Sequence, residues 1–415
     1  MRIVSVTRTV PFDGIPHAGG EYALRHARAL HELGHTVTFI APDTEENRRA
    51  VERGGHHGDV VLYGDPTLEH PGRVERLRRR LSPARVSAAE RRALARCVRA
   101  HVALAEAELV EFHWTQAADL RRVVSRHAPK PARRLIVLYD VMTQQVQRQR
   151  DTAGGGSAAR LARSLKVFAV RRAETRAIAP VDVAVVFSEK DAAAATALAA
   201  GTAEIRVLRP PLAAGTDIDT RTREPAPEDG HPRPFTVLYV GWFRRPDNAR
   251  AAEWLCREIW PSVRDAYPHA RLILAGADPT AAMAEAAAMD PSVSITGYRE
   301  SLDEFYARAD AAVIPVRQGA GVKFKTVLAM LWGVPVVSTS VGVEGITDSP
   351  EFIWRQADDA AGLAAGLVAA AADPEAAARV ARAAQAWARE EFSDDAFRHR
   401  LSRLISEHLP APSPS

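Results

Sequence analysis

The chain has 415 residues, more than one hydrophobic core usually supports, so two domains are expected. Hydrophobic residues at 47% and charged residues at 26% are ordinary for a soluble globular protein. Lys and Arg number 55 against 51 Asp and Glu; the net charge of +4 suits an anionic small molecule, and no zinc-finger spacing, aromatic RNA-binding run or dense basic tail points to nucleic acid.

The N-terminal "MRIVSVTRTVPFDG" has too short an apolar run for a signal peptide, with Arg8 and Pro11 interrupting it. No apolar run approaches the ~18–20 residues needed to span a bilayer. Cys97 and Cys256 lie far apart and form no metal or redox motif, which fits a reducing compartment. These signs predict a cytoplasmic protein, with membrane contact limited to its surface.

The first half opens with the strand-like "RIVSV" and a loop ending in "HAGG". In "EYALRHARALHELGH", Ala23, Ala27, Leu30 and Leu33 share one helical face and Gly34 stops the helix. "TVTFIAP" completes a βαβ unit, hence a parallel sheet. Further strands are predicted at "AELVEFHW", "RLIVLYD", "VDVAVVFS" and "AEIRVLRP". Residues 213–234 carry four prolines and no periodicity, and read as a linker. The second half begins afresh with "FTVLYVG", one helix over "ARAAEWLCREIWPSVRDAYP", then "ARLILAG", "VSITG", "ADAAVIPV" and "VPVVST". "DAFRHRLSRLISEHL" reads as an amphipathic helix before the tail "PAPSPS". The expected organisation is α/β: doubly wound domains at 1–212 and 235–393, facing each other across a cleft, with helix 394–410 packing back on the first.

In "QGAGVKFKTVLAM", Gly319 and Gly321 let backbone approach a ligand closely. The amides of Val322, Lys323 and Phe324 then sit at a helix start, where unpaired N–H groups and the helix dipole attract phosphate. Lys323 and Lys325 add point charges. A P-loop is excluded, because G-x-x-x-x-G-K-[ST] is missing.

From "FTVLYVGWFRRPDNARAAEW" through "VSITGYRESLDEFYARADAAVIPVRQGAGVKFKTVLAMLWGVPVVSTSVGVEGI", residues 235–346 resemble the donor half of family 4 glycosyltransferases, nearly collinearly. The N-terminal half is similar more loosely, through "HAGGEYALRHARALHELGHTVTFIAP", "FHWTQ", "VLYD" and "VAVVFSEKDA". The resemblance implies the GT-B fold and a retaining, metal-independent transfer from a nucleotide-diphospho-sugar to an acceptor hydroxyl, with no cofactor. It implies roles by position. Gly241 marks a glycine turn whose Arg244 or Arg245 neutralises the diphosphate, together with Lys323 or Lys325. Gly297, Tyr298 and Arg299 match the segment that reads the base, with Tyr298 stacking on it. Gly19 and Gly20 match first-domain glycines that approach the donor phosphate. Asp140 stands where the family often carries a histidine or acid touching the sugar. His113 either faces the cleft or is a hydrogen-bonded core histidine.

The family's two glutamates, one on the sugar and one on the ribose, are replaced by Ala320 and Leu328, with Thr326 or Glu344 as candidate substitutes. A lost carboxylate–hydroxyl bond is worth roughly 1.5–3 kcal/mol, so altered ribose recognition is expected rather than a dead site. Two further readings follow: a non-catalytic GT-B partner subunit, or a GT-B epimerase or phosphorylase. Asp217 and Asp219 in "TDIDT" mimic a metal motif but fall in the linker, and His56–His57 lacks a third ligand, so no metal is expected. The arginine run from Val74 to Ala100 reads as a solvated helix face, with an anionic membrane or acceptor as the other reading. A monomer or homodimer is expected.

Overall fold

The computed structural model describes residues 1–15, 18–64, 85–152, 154, 156–212 and 233–410. Most of the linker 213–234, Asp217 and Asp219, part of the arginine run and the extreme tail lie outside the described residues.

The chain folds as two compact units. The first takes Met1–Pro211 and the segment beginning at Asp394; the second takes Leu212–Ser393. In the first, β1 (Arg2–Val6), β2 (Thr36–Pro42), β3 (Asp59–Tyr63), β4 (Leu109–His113), β5 (Arg133–Val137), β6 (Val183–Val186) and β7 (Glu204–Val207) form a parallel sheet of order β3-β2-β1-β4-β5-β6-β7. In the second, β8 (Thr236–Val240), β9 (Arg271–Ala275), β10 (Val293–Ile295), β11 (Ala311–Ile314), β12 (Val336–Ser338) and β13 (Arg355–Gln356) run β10-β9-β8-β11-β12-β13, also all parallel. Central strands such as β4, β6 and β11 are buried along their whole length, as sheets covered on both faces require. Strand order reverses between β1 and β4 and between β8 and β11. Crevices at the carboxyl ends of such strands are where doubly wound sheets bind ligands.

Every strand expected from the sequence is present. β3 and the two-residue β13 were not foreseen. The other departures are local. The first helix spans Ala18–Glu32, so Gly19 and Gly20 lie inside its first turn rather than in a preceding loop. The helical run after β8 is not one uniform helix: Pro246–Trp254 and Trp260–Ala266 flank a π-turn at Leu255–Ile259. Pro261 has no N–H for the preceding turn, which explains the change of hydrogen-bond spacing there.

Helix Asp394–His408 packs on the first helix. Arg25 binds Asp394 at 3.0 Å, and Phe397 meets the rings of Tyr22 and His26 edge-on at 5.9 Å.

Candidate functional site

In the second unit, the loop after β11 takes the conformation its glycines permit. Gly319 has φ +131° and Gly321 φ +70°, a region that side chains rarely tolerate. The loop feeds helix Phe324–Leu331 with Lys323 as its N-cap, which puts the amides of this turn at the positive end of the helix dipole. Val322, Phe324 and Leu328 are partly buried and pack against the core. The two lysines differ in role. Lys323 folds back and donates to the Gly321 carbonyl at 2.7 Å, bracing the loop. Lys325 donates to Asn248 Oδ1 at 2.7 Å and to the Tyr239 hydroxyl at 3.4 Å, with its ammonium 4.7 Å from the Tyr239 ring centre. Burial, then repulsion from Arg245 and Lys323, pulls its pKa down from 10.5 to about 7. A buried amine of this kind gains its proton back when an anion arrives.

The turn after β8 is rigid. Gly241 N–H donates to Ala275 O at 3.0 Å and Phe243 N–H to Ala277 O at 2.9 Å, so these amides are not phosphate donors. Asn248 Nδ2 holds the Trp242 carbonyl at 2.9 Å while its Oδ1 takes Lys325, tying the turn to helix Phe324–Leu331. The polar groups left at the turn are the exposed Arg244 and Arg245, and Arg245 lies close enough to Lys325 to lower its pKa. Gly276 belongs to the same junction: at φ +142°, a Cβ there would sit 1.9 Å from Gly241 O.

Tyr298 and Arg299 follow β10 at the sheet edge. Both are exposed and make no hydrogen bond with the Lys325 cluster among the described residues. Thr326 is fully buried and donates to Gly342 O at 2.7 Å, so it cannot replace the ribose carboxylate.

In the first unit, the switch point carries a buried polar network. Ser5 on β1 faces Glu111 on β4 in register, and its hydroxyl donates to Glu111 Oε1. Glu111 also meets His26 Nε2 at 2.9 Å and His113 Nε2 at 3.2 Å, and His113 Nδ1 meets the Tyr139 hydroxyl at 2.8 Å. Burial alone pushes the Glu111 carboxyl up, but the two imidazoles hold it well below the usual carboxylate range. His113 is thus a hydrogen-bonded core histidine, 1% exposed; burial pushes its pKa down. The network carries Tyr139, which stacks on Trp114 at 4.3 Å and 19°. Trp114 holds φ +69°, and a Cβ on Gly19 would lie 2.8 Å from its ring. Gly19 is therefore a close-packing glycine, with Gly20 buried behind it in the same turn. Asp140 is partly buried beside this cluster; burial, with a smaller contribution from Asp140, raises the Glu174 carboxyl to about 7, and Glu174 caps helix Met142–Thr152 through the Met142 amide at 2.7 Å.

The ligand atoms of His26, Glu111 and His113 all lie within 4.8 Å of one another, the spacing of a metal trio. Their ring nitrogens and carboxylate oxygens already have hydrogen-bond partners in Tyr22, Ser5, Tyr139 and each other.

Sequence reasoning missed Asn248, Gly276, Ser5, His26 and Glu111. The one available signal was the alternation in "EFH", which places Glu111 and His113 on one face of a strand otherwise wholly apolar.

Residues 234–379 match the family model described as Glycosyl transferases group 1. The protein is a glycosyltransferase. Its group 1 domain holds the Lys325 cluster, and the whole chain is similar in fold to solved GT-B structures. Sucrose-phosphate synthase from Thermosynechococcus elongatus matches at 18% identity, covering 98% of this chain and 99% of that one, with a TM-score of 0.71. Anabaena HepE in complex with UDP and glucose matches at 16% identity, 98% and 100% coverage, and a TM-score of 0.67. A glycosyltransferase from Rickettsia africae matches at 12% identity, 98% of each chain, and a TM-score of 0.61. No curated protein matches the sequence.

Proposed function

We propose that this glycosyltransferase moves a sugar from a nucleotide-diphospho-sugar to an acceptor hydroxyl with retention of anomeric configuration and without a metal. The observation that carries the reading is Lys325. It is an ammonium of depressed pKa, aimed by Asn248 and Tyr239, at the start of a helix preceded by two positive-φ glycines. In transfer the anomeric carbon–oxygen bond to the diphosphate breaks and a bond to the acceptor oxygen forms. The acceptor proton passes to the leaving phosphate, so no protein base is required. Charge grows on the diphosphate, and fixed donors there stabilise it: the helix-start amides, Lys325 and Arg244 or Arg245. We assign Gly19 and Gly20 of the first unit to the donor phosphate, Asp140 to the transferred sugar, Tyr298 and Arg299 to the base, and the reaction to the cytoplasm.

UDP is the first nucleotide to test, since HepE was solved with UDP and with UDP-glucose. A thermal-shift panel of UDP-, GDP-, dTDP- and ADP-sugars tests the reading, because a ligand bound only by the native state stabilises it by RT ln(1 + [L]/Kd). One sugar nucleotide is expected to raise Tm; no shift with any of them would refute donor binding. Leu328 favours one other reading. It rests on the core where a ribose carboxylate is usual, and a non-catalytic partner subunit would tolerate that. Donor hydrolysis or transfer by the isolated chain excludes that alternative.

A further inference from the structure

The flank of the first unit holds a cavity that the transfer reaction does not use. Its volume is about 540 Å³, and its lining includes Arg85, Arg91, Arg121, Arg122, Arg172 and Arg176. These residues come from the segment leading into helix Ala88–Arg96, that helix, helix Arg121–Val124 and the later half of helix Ser157–Ile178. The carboxylate in the lining is Asp119, which binds Arg91 at 2.6 Å and reaches Arg85 at 4.0 Å. Among the described residues, Arg121, Arg122, Arg172 and Arg176 form no ion pair. Burial, then repulsion from Arg122 and Arg176, pulls the Arg121 guanidinium below its ordinary pKa despite Asp119, the mark of a cluster short of negative charge. A hollow of about 260 Å³ shares Arg121 and Arg122 and adds Arg126 and Arg134.

Phe168 lines the same cavity and is 63% exposed. Leu161 and Leu165, on the same helix, are 63% and 60% exposed. Positions 161, 165 and 168 follow the i, i+4, i+7 spacing, so they form one stripe. Val167 and Val170 are buried on the other side. The helix is therefore apolar on two faces, one in the core and one open, with Arg160, Lys166, Arg171 and Arg172 flanking the open one. A rimmed, exposed apolar stripe marks an interaction surface. A free anion would use the arginines and leave the stripe wet. An apolar protein partner would cover the stripe and bury unpaired guanidiniums. A leaflet of anionic phospholipid satisfies both, with phosphates for the arginines and acyl chains for the stripe.

We propose that this flank docks on an anionic membrane surface, with Arg121, Arg122, Arg172 and Arg176 on headgroup phosphates and Leu161, Leu165 and Phe168 at the acyl boundary. These residues lie outside the Val74–Ala100 run, which contributes Arg85 and Arg91 to the same cavity, and in the other unit from the Lys325 cluster.

The test is co-sedimentation of the full chain with vesicles of phosphatidylcholine alone and of phosphatidylcholine mixed with phosphatidylglycerol. Binding is expected to the mixed vesicles only, weakening as salt rises. Arg122→Ala with Arg172→Ala should weaken it about 30-fold at low salt, taking roughly a fivefold loss per arginine. Leu165→Glu with Phe168→Glu should abolish it, with Tm unchanged because these side chains are exposed. Lys325→Met should bind vesicles as the wild type does, which separates this surface from the donor site. Failure of the wild type to bind mixed vesicles would overturn the proposal. So would normal vesicle binding by the double glutamate variant alongside tight binding of inorganic polyphosphate, which would make the cavity a free-anion site. A wild-type dimer that becomes monomeric in the glutamate variant, with no vesicle binding, would reassign the stripe to self-association.

Discussion

Lys325→Met separates the stability of the second unit from its chemistry. Burial and two neighbouring cations bring the Lys325 pKa from 10.5 to about 7. At about 1.4 kcal/mol per pH unit, that corresponds to roughly 5 kcal/mol set against the charged form in the folded state. The bonds to Asn248 and Tyr239 vanish with the ammonium, which costs about 2 kcal/mol and leaves the variant roughly 2–3 kcal/mol ahead. The pH dependence has a definite sign. Below about pH 7 the lysine is protonated folded and unfolded, so the native state bears the whole penalty. Between about 7 and 10.5 the folded state sheds a proton that the unfolded chain keeps, and wild-type stability rises. The advantage of methionine is therefore greatest near pH 6 and shrinks toward pH 10. For a unit of this size it amounts to about 5–10 °C in Tm. Meanwhile kcat/KM should fall by about 10²–10³, the effect of removing one preorganised donor from developing charge. Thermal unfolding near pH 6 and pH 9.5, with transfer rates on the same samples, measures both. A variant that melts lower at pH 6, or that keeps kcat/KM within about threefold, would refute the assignment.

Wild-type affinity for a UDP-sugar should drop about tenfold per pH unit above the free-state pKa of about 7, because bound diphosphate returns the proton to Lys325; titration calorimetry should show a flat profile for Lys325→Met. Gly19→Ala pushes a methyl to 2.8 Å from the Trp114 ring. It should lower Tm by several degrees, because the stack cannot yield, and lower kcat/KM about tenfold; an unchanged Tm would refute the close packing, and normal turnover would make Gly19 purely structural. Leu328→Glu places a carboxylate at the expected ribose position. Tighter UDP binding, by up to about 10- to 100-fold, would show the slot intact, and a large loss would show it rebuilt around an apolar residue. Prolonged chelation should leave rate and Tm unchanged; a loss restored by a divalent ion would place a metal on His26, Glu111 and His113.

The sheets were readable because central strands of a covered parallel sheet are continuous apolar runs. β3 escaped because its burial alternates at an edge, and β13 because two exposed residues carry no periodicity. The loop and helix proposed to hold phosphate were readable as a turn into a helix for a local reason too, since the glycines, lysines and helix start lie close together in sequence. What joins that loop to the rest of the unit was not. Asn248 grips Lys325 across 77 positions of sequence, and nothing in "RPDNAR" distinguishes that asparagine from a surface one.

The same limit decides the histidines. His113 reads equally as an active-site group or a core residue until Glu111, Ser5 and Tyr139 are seen around it, and of those Ser5 comes from another strand and Tyr139 from the loop after β5. A buried carboxylate held ionised by two imidazoles is expensive to break and stiff, because removing one partner strands a charge in the core. The network therefore works as a fixed floor. It sets Tyr139, Tyr139 sets Trp114 in a backbone conformation that costs about 1–3 kcal/mol, and Trp114 leaves room at residue 19 for glycine alone. Glycine at position 19, the feature most easily taken for a flexible phosphate loop, is required by this rigid stack. The departure at Leu328 reads differently in that light. If the proposed phosphate end of the second unit is preformed by Asn248 and Tyr239 around Lys325, loss of one ribose contact leaves its shape intact, so the leucine bears on which donor binds more than on whether one does.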